Sequence, residues 1–125
     1  MLYYRDDMLA LRLYANDIGN FGACHLSCLT NLTSLSLIEN NIRDGGVPCL
    51  GRLSNIQTLV LARNCVGSVA ASTYFAPMPK LTSLDLRQNG IAQEDWSQLT
   101  EHLSHCRVYL RQHSLIECEM YIIDN

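Results

Sequence analysis

The sequence predicts an α/β solenoid, with short parallel strands on a concave face and helices or loops on a convex face. Three observations predict it. An apolar residue followed by x-x-Leu-x-Leu-x-x-Asn-x-apolar occurs four times in 125 residues. The copies are almost evenly spaced, which is the signature of stacked repeats. Some of the segments between them carry apolar residues at helical spacing.

The four copies keep one register. They begin at residues 8, 32, 56 and 81, so their starts are separated by 24, 24 and 25 residues. Another 24 residues lead to a degraded copy that reads His105, Val108, Leu110, His113 and Leu115. His105 takes the first, core-facing position of that copy. We therefore expect five repeats in a single domain over residues 1–125.

Each copy contains one strand and one turn. Alternate apolar residues, such as Leu11 and Leu13 in the first copy, have the period of a strand with one buried face. One strand cannot bury that face alone, so the copies stack into a parallel sheet. The asparagine at the ninth position turns the chain out of the strand, and its amide can bond adjacent turns. We expect a buried ladder of Asn16, Asn40, Asn64 and Asn89.

The segments that return from one strand to the next are predicted to be helical in two repeats. The spacing that indicates a helix occurs over Val47, Leu50 and Leu53, and again over Trp96, Leu99 and Leu103. The third segment has one additional residue and contains Pro77 and Pro79. Because proline interrupts helices, we expect a shorter helix or a loop there.

These repeats resemble the leucine-rich repeat family over roughly residues 8–115. The run Ile18-Gly19-x-x-Gly22-Ala23-x-x-Leu26 is similar to the ribonuclease-inhibitor-like class. The 24-residue length and the Gly-Ala-x-x-Leu run are also similar to shorter repeats of some bacterial effectors, so the subtype stays open. The resemblance implies a non-enzymatic module that binds a protein partner through its concave face, or a subunit of a larger complex. It also allows an effector or the substrate receptor of a ubiquitin ligase, although nothing like an F-box precedes the repeats.

The residues between the core leucines are predicted to form two patches on the concave face. The first is apolar and aromatic and lies nearer the N-terminal end; its members are Tyr14, Ile38 and Val60, with Arg12 beside them. The second is rich in arginine and tyrosine, which are enriched at binding hot spots; its members are Arg63, Asp85, Arg87, Arg107, Tyr109 and Arg111.

The two patches together predict a site for an extended protein partner that is apolar at one end and has an acidic segment at the other. Two alternatives stay open. The patches could be ordinary solvated strand faces, with Asp85 pairing locally with Arg87 or Arg63. The chain could instead be an architectural subunit that docks through its convex helices and apolar ends.

Composition excludes several classes of function. Nine Lys and Arg residues against 12 Asp and Glu give a net charge of -3, which does not indicate a nucleic-acid binder. No apolar run reaches the ~18 residues that cross a membrane. The first residues do not form a secretory signal, so we expect a cytoplasmic protein. For the same reason, we expect all six cysteines to be unpaired and mostly buried.

The sequence predicts no catalytic, cofactor or metal site. Two groups of histidine and cysteine residues each supply fewer than the four ligands of a structural zinc site. They are the cluster of His102, His105 and Cys106 and the run Cys24-His25-x-x-Cys28. A nucleophile pair of Cys106 and His102 lacks an evident orienting carboxylate and oxyanion hole. The sequence contains neither a phosphate-binding glycine loop nor a metalloprotease motif.

The ends of a repeat stack need protection, because they expose core residues and strand edges. We expect Leu2, Tyr3 and Tyr4 to cover the first repeat. Residues 116–125 form an apolar tail. Either this tail is a cap that adds a strand to the last repeat, or it docks on another subunit.

Overall fold

The computed structural model describes residues 8–110 and the backbone of residues 121–123. Six short strands form one sheet in chain order; the first five are parallel, and the sixth is antiparallel to the fifth. The strands are β1 (Ala10–Arg12), β2 (Ser34–Ser36), β3 (Thr58–Val60), β4 (Ser83–Asp85), β5 (Arg107–Leu110) and β6 (Tyr121–Ile123).

The helices lie in the return segments between the strands. They are α1 (Gly19–Leu26), α2 (Val47–Leu50), α3 (Ser68–Phe75) and α4 (Trp96–His102). Single 3-10 turns, Asp44–Gly46 and Gln93–Asp95, lead into α2 and α4. The apolar residues of the four helices pack with the buried faces of the strands in one continuous core. The prediction of an α/β solenoid is therefore confirmed.

The register of the sheet follows the spacing of the repeats. The central core residues form one row across the five parallel strands, in the order Leu11, Leu35, Leu59, Leu84 and Val108. From Leu35 onward every member of this row is fully buried. A slip by one residue would turn the leucines to solvent, so the buried face fixes the register.

The third return segment differs from the prediction of a shorter helix or a loop. Its helix α3 has 8 residues, as many as α1, whereas α2 has 4. Pro77 and Pro79 lie beyond the last residue of α3, so they end the helix without interrupting it. Phe75, the last helical residue, is fully buried and anchors α3 to the core.

The asparagine ladder is present, but it is not buried throughout. The Asn64 Oδ1 atom accepts hydrogen bonds from the backbone amides of Asn40 (3.0 Å) and Ile42 (2.9 Å) in the preceding repeat. In the same way, Asn40 Oδ1 accepts from the backbone amide of Asn16 (2.9 Å), and Asn89 Oδ1 accepts from that of Val66 (2.9 Å). Asn16 is exposed and Asn89 is half-buried, so the predicted burial of these two is wrong. Asn16 lies in the first repeat, where the ladder begins.

Predictions about the histidine and cysteine residues are also wrong. His105 is exposed, and its neighbour Cys106 is the residue buried in the core. Cys24 and Cys49 form a disulfide between α1 and α2, with a Cα–Cα distance of 4.9 Å. Cys28 and Cys65 are exposed, and of the cysteines that the structure describes only Cys106 is buried, so the prediction that they are mostly buried is wrong as well.

Several predictions about the ends of the chain fall outside the described residues. These include the role of Leu2, Tyr3 and Tyr4 and most of the apolar tail. The backbone of β6 pairs with β5, placing Ile123 beside Val108 and Tyr121 beside Leu110. Over residues 8–110 and 121–123, no helix has the length and apolar character needed to cross a membrane.

Candidate functional site: the concave sheet face

The strands place the predicted contact residues in rows. The fifth position of each repeat forms one row, in the order Arg12, Ser36, Val60, Asp85 and Tyr109. Backbone hydrogen bonds extend the pairing beyond the strands, as from the amide of Arg63 to the carbonyl of Arg87 (2.9 Å). These bonds place the seventh and eighth positions side by side as well.

The chain leaves every described strand up to β4 through the same strained turn. The residue at the eighth position has a positive φ in each case: Ala15 (53°), Glu39 (57°), Arg63 (58°) and Gln88 (58°). This left-handed conformation costs a residue with a β carbon roughly 1–2 kcal/mol. The repeated turn ends each strand at an equivalent residue, so the seventh-position side chains form a regular row.

A depression of about 280 Å³ lies across the first four repeats at these positions. Its lining residues are Tyr14, Ile38, Ala62, Arg63, Arg87 and Gln88. Tyr14 is 60% exposed, so its ring is accessible in this depression. The sequence suggested an apolar patch separated from an arginine patch, whereas the depression brings two members of each together.

Arg87 is held by Asp85 of the same repeat. The Arg87 Nε atom donates to both Asp85 carboxylate oxygens (2.9 and 3.1 Å), and Nη2 donates to Oδ2. The hydrogen bonds from Asp85 raise the pKa of the Arg87 guanidinium above its ordinary value, against the opposing effect of burial. The guanidinium carbon also lies 5.8 Å from the centre of the Tyr109 ring. Asp85 thus fixes Arg87 in place and offsets its charge.

Arg63 is more exposed and is held from two sides. Its Nε atom donates to Gln88 Oε1 (2.8 Å), and its Nη1 atom lies 3.6 Å from Glu39 Oε2. The Arg63 and Glu39 side chains are 53% and 51% exposed, so this pair is a weak surface ion pair. Arg63 is therefore the arginine of the depression that is most accessible to a partner.

The other predicted residues lie outside the depression. Arg12 is exposed and Val60 is half-buried in their strands. Arg107 is exposed and precedes half-buried Tyr109 by two residues, so the two occupy the same face of β5. Arg111 lies outside the described residues.

Sequence reasoning missed a second depression, of about 380 Å³, at the ends of the strands. It is lined by Ala15, Asp17, Glu39, Asn41, Arg63, Asn64 and Cys65. Asp17, Asn41 and Cys65 each follow a ladder asparagine directly, so the repeat alignment could have revealed this column. Arg63 lines both depressions and joins them.

The residues considered for catalysis engage backbone atoms. The Cys106 thiol points to the carbonyl of Arg107 (3.8 Å), and His102 Nδ1 lies 2.8 Å from the carbonyl of Gln98. Burial raises the pKa of Cys106 to about 11, so its thiol stays protonated at neutral pH. Among residues 8–110, no three His, Cys, Asp or Glu side chains are grouped as a metal site would require.

Comparison with known proteins is consistent with the repeat architecture. The leucine rich repeat family profile matches residues 30–91. A solved structure of internalin C2 from Listeria monocytogenes has 29% sequence identity and a TM-score of 0.54, over 68% of this chain and 34% of that one. A structure of internalin F from the same organism has 21% identity and a TM-score of 0.47, over 73% and 31%. The chain thus spans about a third of the length of each. No curated protein matches the sequence.

Proposed function

The chain belongs to the leucine-rich-repeat family, and on that premise we propose that it is a non-enzymatic module that binds a protein partner across its concave face. The depression lined by Tyr14, Ile38 and Ala62, with Arg63 and Arg87 at its side, carries this proposal. It offers apolar and aromatic area next to guanidinium groups, the combination that is enriched at binding hot spots. Stacked repeats also present extended concave surfaces suited to such contacts.

The sheet makes this surface rigid before a partner arrives. The rows are fixed by backbone hydrogen bonds, such as those from Glu39 to Ala62 (3.0 Å) and from Ala15 to Ile38 (3.1 Å). Arg87 is already oriented by Asp85. The site would therefore lose little conformational entropy when a partner binds, which favours affinity.

The charges of the face favour a partner with an acidic segment. At the described contact positions, four arginines stand against two carboxylates: Arg12, Arg63, Arg87 and Arg107 against Glu39 and Asp85. The buried Asp85 offsets Arg87 and Glu39 pairs weakly with Arg63, so the face keeps an excess of two positive charges. An apolar residue over Tyr14 followed by a carboxylate near Arg63 would match the depression.

A second candidate function is that of an architectural subunit that docks through its convex helices. It is favoured by two large apolar side chains in solvent, Phe21 on α1 (85% exposed) and Val69 on α3 (77% exposed). Both lie in return segments, away from the sheet. Single exposed apolar side chains are common on protein surfaces, so this candidate ranks second.

Affinity capture from an extract of the source cells, with paired variants, separates the two functions. We expect Tyr14→Ser with Ile38→Ser to lose the captured protein, since truncating central contacts weakens binding by about tenfold or more. The matched convex variant, Phe21→Ser with Val69→Ser, should retain it. Retention by the concave variant and loss by the convex one would refute the proposal and favour the architectural function.

A charge swap tests the acidic preference separately. Glu39→Arg with Arg63→Glu keeps the net charge and the ion pair but exchanges the two charges. We expect the swap to weaken capture while the thermal unfolding midpoint stays near that of the wild type. Unchanged capture would show that the partner does not recognise the Arg63 charge.

A further inference from the structure

The first repeat is packed less completely than the second. Ala23 of α1 is fully buried. The other apolar residues that this repeat packs against the core are only half-buried: Met8, Leu11, Leu13, Ile18, Leu26 and Leu29. The strand and turn positions of the second repeat are fully buried: Leu32, Leu35, Leu37 and Ile42. In a solenoid, each repeat is stabilised by its own contacts and by those with its neighbours. The first repeat therefore depends strongly on its attachment to the second.

That attachment is partly non-covalent and partly covalent. At α1, the amide of Gly19 donates to the carbonyl of Asn40 (2.8 Å), and Asn20 Oδ1 accepts from the amide of Arg43 (2.8 Å). Three residues of β1 pair with β2, and the side chain of Asn40 bonds Asn16 and the carbonyl of Leu13 (2.9 Å each). The covalent part is the Cys24–Cys49 disulfide, which joins α1 to α2. The backbones approach closely there: a β carbon at Gly46 would lie 3.2 Å from the Cα atom of Asn20.

We propose that the Cys24–Cys49 bond is a redox-controlled latch that holds the first repeat in place and thereby controls the concave site. The link to binding rests on the proposed function, because Arg12 and Tyr14 belong to the first repeat. Both cysteines are half-buried rather than enclosed, so a small thiol can reach the bond. Reduction would remove the covalent link between α1 and α2 and leave only the non-covalent contacts of β1 and α1 to hold the first repeat.

The chemical step is thiol–disulfide exchange with a dithiol reductant. One thiolate of the reductant attacks a sulfur of the bond, the S–S bond breaks, and the other cysteine leaves as a thiolate that takes up a proton. The second thiol of the reductant then closes a cyclic disulfide and releases the first cysteine. Two electrons pass from the reductant to Cys24 and Cys49.

The size of the effect follows from the chain that the bond encloses. The cysteines are 25 residues apart, and the chain-entropy relation for a loop of that length corresponds to about a 10²- to 10³-fold change in the opening equilibrium. The third to fifth repeats keep their own strand pairing and core contacts. Opening should therefore be confined to the N-terminal end, as expected for a quasi-one-dimensional stack.

Amide hydrogen exchange on the full chain, with and without dithiothreitol, tests the latch. Reduction should speed exchange over residues 10–26 by about 10²-fold or more and leave residues 58–85 unchanged. The Cys24→Ser, Cys49→Ser variant should exchange fast at residues 10–26 under both conditions. As a matched control, Cys28→Ser with Cys65→Ser should respond to dithiothreitol like the wild type.

Three results would overturn the proposal. One is unchanged exchange at residues 10–26 after mass measurement shows that the bond is reduced. Another is equal acceleration in all repeats, which would mean a global loss of stability rather than a local latch. The third is a mass that shows no Cys24–Cys49 bond in the purified chain under air. None of these readouts needs a partner, so a failure of the latch is distinct from a failure of concave-face binding.

Discussion

Replacing Asn64 by alanine should strongly destabilise the solenoid, because its side chain bonds the backbone of two repeats. Asn64 is 6% exposed, and its Oδ1 atom is the acceptor for the amides of Asn40 and Ile42. Its Nδ2 atom donates to three carbonyls, including that of Leu37 in the preceding repeat (2.9 Å). Each amide left buried without a partner costs about 1–3 kcal/mol. We expect a loss of about 3–5 kcal/mol in the free energy of unfolding.

Urea unfolding followed by circular dichroism measures this loss, and Asn16→Ala is the matched control. Asn16 holds the same position in the first repeat, but it is exposed, and its side-chain Nδ2 atom donates to the carbonyl of Tyr14 (2.9 Å). Its replacement should cost less than about 1 kcal/mol, as for most surface substitutions. Equal losses in the two variants, or a loss below about 1 kcal/mol for Asn64→Ala, would refute the ladder as a source of stability.

Three further predictions concern the core and the thiols. In urea unfolding, Phe75→Ala should lower the free energy of unfolding by about 3–5 kcal/mol, because this side chain is fully buried. The exposed control, Phe21→Ala, should lower it by less than about 0.5 kcal/mol. Similar losses in the two variants would contradict the core assignment. Because burial raises the pKa of Cys106 to about 11 from an ordinary 9.0, the unfolded chain loses this proton first. The free energy of unfolding should therefore fall as the pH rises from 9.0 to about 11, more steeply than in Cys106→Ala; parallel pH profiles would exclude this cause. Under native conditions, a maleimide should label Cys28 and Cys65 but spare Cys106, as checked by peptide mass; prompt labelling of Cys106 would contradict its burial.

The strand pattern of this protein could be predicted closely because one physical constraint repeats. Each copy must bury its leucines against the next, so the spacing of 24 or 25 residues translates directly into sheet register. Leu35 therefore lies beside Leu59, and the fifth positions from Arg12 to Tyr109 form one row across the strands. The residues that could form a concave site follow from the same alignment.

Features that depend on contacts between return segments were harder to predict. Cys24 and Cys49 are 25 residues apart, close to one repeat length, and this signal was outweighed by the expectation of a reducing compartment. The length of α3 depends on Phe75, whose burial is not evident beside two prolines. In the site, charge alone did not decide whether Asp85 would pair with Arg87 or Arg63, because rotamer and burial determine the partner.

Site-specific photo-crosslinking tests the concave-face proposal most directly. A benzophenone amino acid would replace Ile38 in the concave depression or, in a second variant, Val69 on α3 of the convex side. Both variants would be irradiated in an extract of the source cells, and the adducts would be identified by mass spectrometry. We predict a discrete protein adduct from position 38 that is lost when Tyr14→Ser is added, and none from position 69. An adduct from position 69 alone would contradict binding through the concave face.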